Sequence, residues 1–252
     1  LLQPAAVATS GLRRSLRGRK LLDGVDLRVP VGARLLLVSE PDDAASLLLR
    51  ILAGLVRPAA GSFDLAGLPR SDSADAGWRR RIGYVAGESG FYPWLSPREV
   101  LDLAGRLADY DRAERRRRID LAIDQYRLGP RPDRPVSHGG PPLAQRVAFA
   151  AAMLTDPEVL LLDDPLRSLL PDERAQLLAV PGHRRTVVLA SRYPASEEGL
   201  VNQVALLLNG RVAIHAGSSD LARRGLPLTL RGIANLAVMR ARDQHVPRAA
   251  GA

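Results

Sequence analysis

The chain has 252 residues, 46% of them hydrophobic, enough for one large domain or a domain with an inserted lobe, and not the composition of a disordered chain. It has no cysteine, which rules out disulfides, thiolate metal ligands and thiol catalysis, and its formal charge of +9 admits nucleic acid or an anionic membrane surface as partners. Aromatic content of only 4% leaves few rings to stack on bases, so nucleic acid is disfavoured. The cations are almost all arginine, with Lys20 the sole lysine, and the abundance of Ala, Leu and Arg also reads as the codon bias of a GC-rich genome. No stretch reaches the roughly 18 apolar residues of a membrane span. The first residues lack the positive-then-apolar order of a signal peptide, and a soluble, cytosolic protein is the expectation. The chain opens on Leu1, which leaves room for a start further upstream.

In chain order, Val25 to Val29 alternates apolar and polar residues as a half-buried strand, with Val31-Gly32 as the turn after it. Arg34 to Val38 is a short apolar run of buried-strand length. A polar break, SEPDDAAS, leads into SLLLRILAGL, whose apolar spacing is that of a helix stopping at Gly54. GSFDLAG and RIGYVAG read as further strands, so the order is that of an α/β unit with a parallel sheet. From Ser96 to Leu128 the pattern is helical, with Ser96 as N-cap, Pro97 at N1 and Glu99 closing a capping box. A Pro/Gly-rich stretch, Gly129 to Pro142, ends it. The helix LAQRVAFAAAML, the strand EVLLLDD, and the strands Thr186 to Ser191 and Val204 to Asn209 follow, the last entering an Asn209-Gly210 hairpin into RVAIH. A weak helix is expected near Leu230 to Arg242, and the end of the chain is expected to fray.

Taken together, RKLLDGVDLRVPVGARLLLV, SLLLRILAGLVRPAAGSFDLAG, RIGYVAGESGFYPWLSPREVLDLAGRL and QRVAFAAAMLTDPEVLLLDDP resemble the ABC ATPase domain, particularly subunits of bacterial exporters, from about residue 5 to 220. The resemblance implies a P-loop NTPase (RecA-like) α/β fold with an N-terminal antiparallel β portion and an inserted helical lobe. It divides the chain into an ABC-type core, 1–94 and 144–220, a lobe, 95–143, and a C-terminal tail, 221–252.

The phosphate loop of that family, G-x-x-x-x-G-K-[ST], works through glycines whose neighbouring N–H groups close on phosphates and a lysine that reaches the outer ones. The matching segment here is Ser39-Glu40-Pro41-Asp42-Asp43-Ala44-Ala45-Ser46. Ser39, Asp42 and Ala44 replace glycines, and Ala45 replaces the lysine. Glu40, Asp42 and Asp43 add negative charge where triphosphate would lie. At about 4 Å and an effective dielectric near 20, each like-charge pair costs about 4 kcal/mol, against about 8 kcal/mol for a whole micromolar complex. The same residues suit a helix start, where Asp42 or Asp43 would cap the chain and place an anion at the positive end of the helix.

The other family positions follow the trend. Leu16 stands where an adenine-stacking aromatic is usual, and Gly87 where a glutamine senses metal and water. Asp164 stands at the general-base glutamate, Arg192 at the histidine that meets the γ-phosphate, and Leu170 at the aspartate of the coupling loop. Ser46 and Asp163 keep the two magnesium ligands of the family, although a serine at a helix start and an aspartate at a strand end is an equally good structural reading. The signature loop, where one subunit touches its partner's nucleotide, corresponds to Val136 to Pro142. Gly139 and Gly140 are its remnant, but Pro141 and Pro142 have no N–H to offer a phosphate. No cofactor is expected; ATP and Mg would bind only if the altered loop still takes them.

Gly90 to Leu95 lies where the family's groove receives a helix of the membrane subunit, and core packing between lobes would explain its aromatics equally well. Arg115 to Arg118 reads as a solvated helix face. The resulting expectation is a subunit that docks on an integral-membrane permease at the inner face of the cell membrane, as scaffold or regulator, beside an intact or identical ABC ATPase subunit. The alternatives are a working ATPase with a non-standard phosphate site and a soluble nucleic-acid-associated relative.

Overall fold

The computed structural model describes residues 4–40, 43–69, 80–88, 90–179 and 185–245. Strands β1 (Ala5–Leu16) and β2 (Arg19–Pro30) form a long antiparallel hairpin, and with β4 (Ala60–Leu65) and β5 (Leu68–Pro69) they make a four-stranded sheet ordered β2-β1-β4-β5. Strands β3 (Arg34–Glu40), β6 (Ile82–Val85), β7 (Val159–Asp163), β8 (Thr186–Ala190), β9 (Gln203–Leu208) and β10 (Arg211–Gly217) make a six-stranded sheet ordered β10-β9-β3-β8-β7-β6. All its pairs are parallel except the β9–β10 hairpin, which turns at Asn209-Gly210 as its sequence demands.

The parallel strands are apolar at nearly every position because both faces of the sheet are covered. Leu36, Val38, Leu160, Leu162, Val187 and Leu189 point into one core, while Leu35, Leu37, Val159, Leu161, Val188 and Ala190 point into the other. The second core holds helix α1 (Asp43–Leu52) between the two sheets, through Leu48, Leu49, Ile51 and Leu52.

The helical run from Ser96 to Leu128 is two helices, not one: α2 (Pro97–Leu107) and α3 (Arg112–Gln125). The break falls where Asp109 adopts φ +58° and Asp111 caps α3, its carboxylate accepting the Glu114 N–H at 2.9 Å. Asp111 and Glu114 carry the start signal that the longer periodic pattern concealed. The Ser96–Glu99 capping box forms as the residues require. Arg115 turns back to Asp102 of α2 at 2.5 Å, and Arg117 and Arg118 pair with Glu114, so only part of the arginine run is a solvated face. Helices α4 (Gly140–Met153), α5 (Pro171–Ala179), α6 (Ser218–Arg223) and α7 (Leu230–His245) follow, and α5 and α6 have no clear sequence pattern of their own.

Candidate functional site

Parallel α/β sheets gather their ligands at the carboxyl ends of the strands. Here β3 ends on Ser39 and Glu40, β7 on Asp163, and β8 runs into Ser191, side by side in the order β3-β8-β7. Ser39 is buried and its Oγ accepts the Ala45 N–H at 3.0 Å. An amide of the first turn of α1 is therefore satisfied by the protein's own side chain. Ala44 and Ala45 are buried against the core, and Ser46 Oγ donates to Asp163 Oδ1 at 2.7 Å. Asp43 is the exposed first residue of α1, inside the helix instead of capping it; Asp42 lies outside the described residues. The space lined by Ser39, Ala45, Ser46, Asp163, Asp164, Ala190, Ser191 and Arg192 measures about 10 Å³, close to the minimum a single water needs.

Burial pushes the Asp163 carboxyl above the ordinary carboxylate range, and the neighbouring Asp164 adds to the rise; Ser46, Tyr84 and Arg50 pull it back. Tyr84, on β6, is itself pushed up to about 12 by burial and by the Asp163 carboxylate. The sign of the consequence is fixed. An acid whose folded pKa is raised holds its proton more readily in the native state, so its contribution to stability falls as pH rises from the unfolded to the folded pKa. Asp163→Asn removes that titration. Its stability relative to the parent is expected to rise with pH through this window and level off above it; a pH-independent difference in denaturant unfolding would contradict the shift.

Asp164, in the left-handed region at φ +43°, is held by two guanidinium groups. Arg192 Nε donates to Oδ2 at 2.5 Å and its backbone N–H to Oδ1 at 3.2 Å, while Arg167 reaches Oδ1 at 3.2 Å. Arg167 also donates to Ser191 Oγ and, at 2.8 Å, to Glu197. Glu197 is completely buried and takes Arg174 on both oxygens, at 3.0 and 2.8 Å, and the Ser191 hydroxyl at 2.8 Å. One continuous ionic network thus ties the segment after β7 to the segment after β8.

Gly87 lies against this strand end, where a Cβ would stand 3.2 Å from the Asp163 carbonyl oxygen. Gln145 of α4 bridges it, donating to the Gly87 carbonyl at 3.4 Å and accepting the Ser168 N–H at 2.8 Å. Gly139 and Gly140 do not line the same space. A 3-10 turn, Val136–Gly139, precedes α4; Gly139 caps it without a side-chain bond and Gly140 takes φ +63°. Pro141 and Pro142 then fill the first turn, where a helix normally presents free N–H groups. Leu16 and Leu170 are exposed. In the aromatic segment Phe91 packs on the core, while Tyr92 and Trp94 are largely exposed and stack at 4.4 Å and 12°.

The resemblance singled out Ser39, Asp42, Asp43, Ala44, Ala45, Ser46, Gly87, Asp163, Asp164 and Arg192, with Gly139 and Gly140; among the described residues Ser39, Ala45, Ser46, Asp163, Asp164 and Arg192 line one space, with Gly87 beside it. Sequence reading missed Tyr84, Gln145, Arg167, Arg174, Ser191 and Glu197. Arg167 amid PLRSLL is a lone cation in an apolar run, the one signal that could have flagged it.

The family model described as "ABC transporter" matches residues 22–167. The chain belongs to the ABC transporter family. It is 33% identical over 236 residues to the nickel import ATP-binding protein NikO of Rhodobacter capsulatus, covering 87% of this chain and 92% of that protein. It is 30% identical over 220 residues to the daunorubicin/doxorubicin resistance ATP-binding protein DrrA of Streptomyces peucetius, covering 86% of this chain but only 66% of that one. Among solved structures, an ATP-binding subunit of an ABC transporter superposes with a TM-score of 0.75 at 23% identity, over 87% of this chain and 92% of its own. The dimeric ATP-binding cassette MJ0796 bound to ADP and Pi superposes with the same TM-score at 20% identity, over 84% and 98%. The P-loop NTPase fold of ABC ATPases is therefore the fold of this chain, and ATP with Mg is what the family ordinarily binds. No helix among the described residues is long and apolar enough to cross a membrane.

Proposed function

We propose that this chain is an ABC nucleotide-binding-domain-like subunit that docks on a membrane permease as scaffold or regulator, with ATP binding and hydrolysis impaired or absent. The observation that carries the reading is the Asp164–Arg192 ion pair. A carboxylate at the general-base position is useful only if it can take a proton from water. Here both of its oxygens are occupied by guanidinium groups, one of them from the position where family members place a γ-phosphate-sensing histidine.

Mg-ATP fits these residues poorly. Ala45 supplies no ammonium group, its N–H is already bonded to Ser39, and Gly87 offers no side chain to a metal. What the chain's own residues do is hold Asp164, Ser191 and Glu197 in a fixed arrangement without the nucleotide. Residues 95–143 form the inserted lobe in this reading, 1–94 and 144–220 the core, and 221–252 the tail. The exposed Tyr92–Trp94 stack offers the permease a rigid aromatic anchor. The partners are then that permease and an intact or identical ABC ATPase subunit, at the cytoplasmic face of the membrane.

A second reading, a working ATPase with a non-standard phosphate site, draws support from one observation. Ser46 and Asp163 stand in hydrogen-bond contact where the family binds magnesium. Phosphate release from Mg-ATP separates the two. The chain and its Asp164→Asn variant are expected to release phosphate at the same background rate; a drop of about a hundredfold on substitution, the usual weight of a general base, would establish the second reading instead. Tagged protein recovered from membranes should bring an integral-membrane subunit with it.

A further inference from the structure

The tip of the β1–β2 hairpin concentrates charge in a way that the nucleotide-site reading does not use. Arg13, Arg14, Arg17, Arg19 and Lys20 fall within eight residues that contain no carboxylate. The register sets Leu16 opposite Arg19 and Ser15 opposite Lys20, so both strands contribute cations to one end of the hairpin. The turn carrying Leu55 and Arg57 is held against this hairpin by the Ala59 N–H, which donates to the Arg13 carbonyl at 2.8 Å. One carboxylate answers these charges among the described residues: Asp23, shared by Arg13 at 3.8 Å and Arg211 at 3.2 Å. No carboxylate among the described residues pairs with the exposed Arg17, Arg19 or Arg57, or with Arg14, which is half-buried.

Two leucines stand among these cations, Leu16 at 44% and Leu55 at 61% exposure. No aromatic residue precedes the buried Phe63, so nothing in the hairpin could stack on a base. Cations with apolar side chains between them match a layer of phosphates lying over hydrocarbon. We propose that this hairpin tip is a membrane-surface contact that takes anionic phospholipid headgroups, the guanidinium groups on phosphate and Leu16 and Leu55 at the acyl boundary. Guanidinium pairs with phosphate through two parallel hydrogen bonds, which suits a patch that is arginine apart from Lys20. The contact does not rest on whether the nucleotide site works, although Leu16 also stands at the family's adenine-stacking position.

Cosedimentation of the full chain with vesicles tests it. Binding is expected to vesicles mixing phosphatidylglycerol with phosphatidylcholine, not to phosphatidylcholine alone, and to weaken with salt. The triple variant Arg17→Gln/Arg19→Gln/Lys20→Gln should bind about a hundredfold more weakly, since each cation near such a surface contributes about fivefold. Leu16→Ser should weaken binding several-fold more than it weakens with salt alone. Arg112→Gln/Arg116→Gln/Arg117→Gln, on the exposed side of α3, should bind like the parent, and all variants should keep its thermal midpoint. Failure of the parent to bind the mixed vesicles, equal binding to phosphatidylcholine alone, or equal loss in the α3 variant overturns the proposal. So does duplex DNA bound as tightly as the vesicles with Leu16→Ser without effect, which assigns the tip to nucleic acid.

Discussion

Glu197→Gln is expected to lower the thermal midpoint by about 10 °C, whereas Arg192→Ala should lower it by no more than about 2 °C. Both residues belong to one ionic network, but at opposite ends of a gradient of burial. Glu197 is inaccessible to solvent and Arg174 is 7% exposed, so removing the carboxylate's charge strands a guanidinium in the core. Breaking a buried pair from one side costs about 3–5 kcal/mol, and for a chain of this size each kcal/mol moves the midpoint by about 2–4 °C. Arg192 is 60% exposed, and its pair with Asp164 is screened by water on one side. Replacing the interior pair by apolar residues of like volume, Arg174→Met with Glu197→Leu, should recover part of the loss, because no guanidinium is then stranded at position 174, while Arg167 keeps Asp164 but loses Glu197. Thermal unfolding of the single and double variants checks the whole pattern. A Glu197→Gln protein as stable as its parent would show that the network does not hold the two segments together.

Titration of the chain with Mg-ATP should give no saturation below about 1 mM, a level that corresponds to about 4 kcal/mol of binding. A micromolar site needs about twice that, and on the proposed reading the residues that would supply the difference are missing. The lysine's charge-assisted bonds, about 1.5–3 kcal/mol each, have no donor at Ala45. Glu40 and Asp43 add repulsion, and the first-turn amide is bonded to Ser39. Ala45→Lys alone is expected to leave the titration flat. Position 45 is buried against the core, so a long ammonium side chain there must first disturb the packing. A saturable isotherm at micromolar concentration, lost on Asp163→Ala, would end the proposal of an impaired site.

The legible part of this protein lay in patterns that are local or repeat along the chain. The apolar runs from Leu35 to Leu37 and Val159 to Leu162, the Ser96–Glu99 capping box and the Asn209-Gly210 turn each name their own structure, because burial on both faces, an N-cap and a positive φ are demands on neighbouring residues. The family resemblance carried by the order of those elements singled out Ser39, Ser46, Asp163, Asp164 and Arg192; their place at the carboxyl ends of β3, β7 and β8 came from the structure. The split between α2 and α3 was less legible, since neither Gly nor Pro breaks Ala108 to Asp111 and only the cap at Asp111 marks the new start.

By itself, then, the sequence determined the order of strands and helices, the family, and the absence of any lysine from the phosphate loop. The tertiary structure alone decided which groups meet around Ser39, Asp163 and Asp164. Arg167 lies 30 residues from Glu197, and they meet because β7 and β8 lie adjacent and bring their following segments together; Ser39 reaches Ala45 because the chain folds back from β3 into α1. Spacing along a chain encodes periodicity within an element. It does not encode which charges meet between elements, and in a buried site that pairing decides whether a carboxylate is a free base or one half of a structural ion pair.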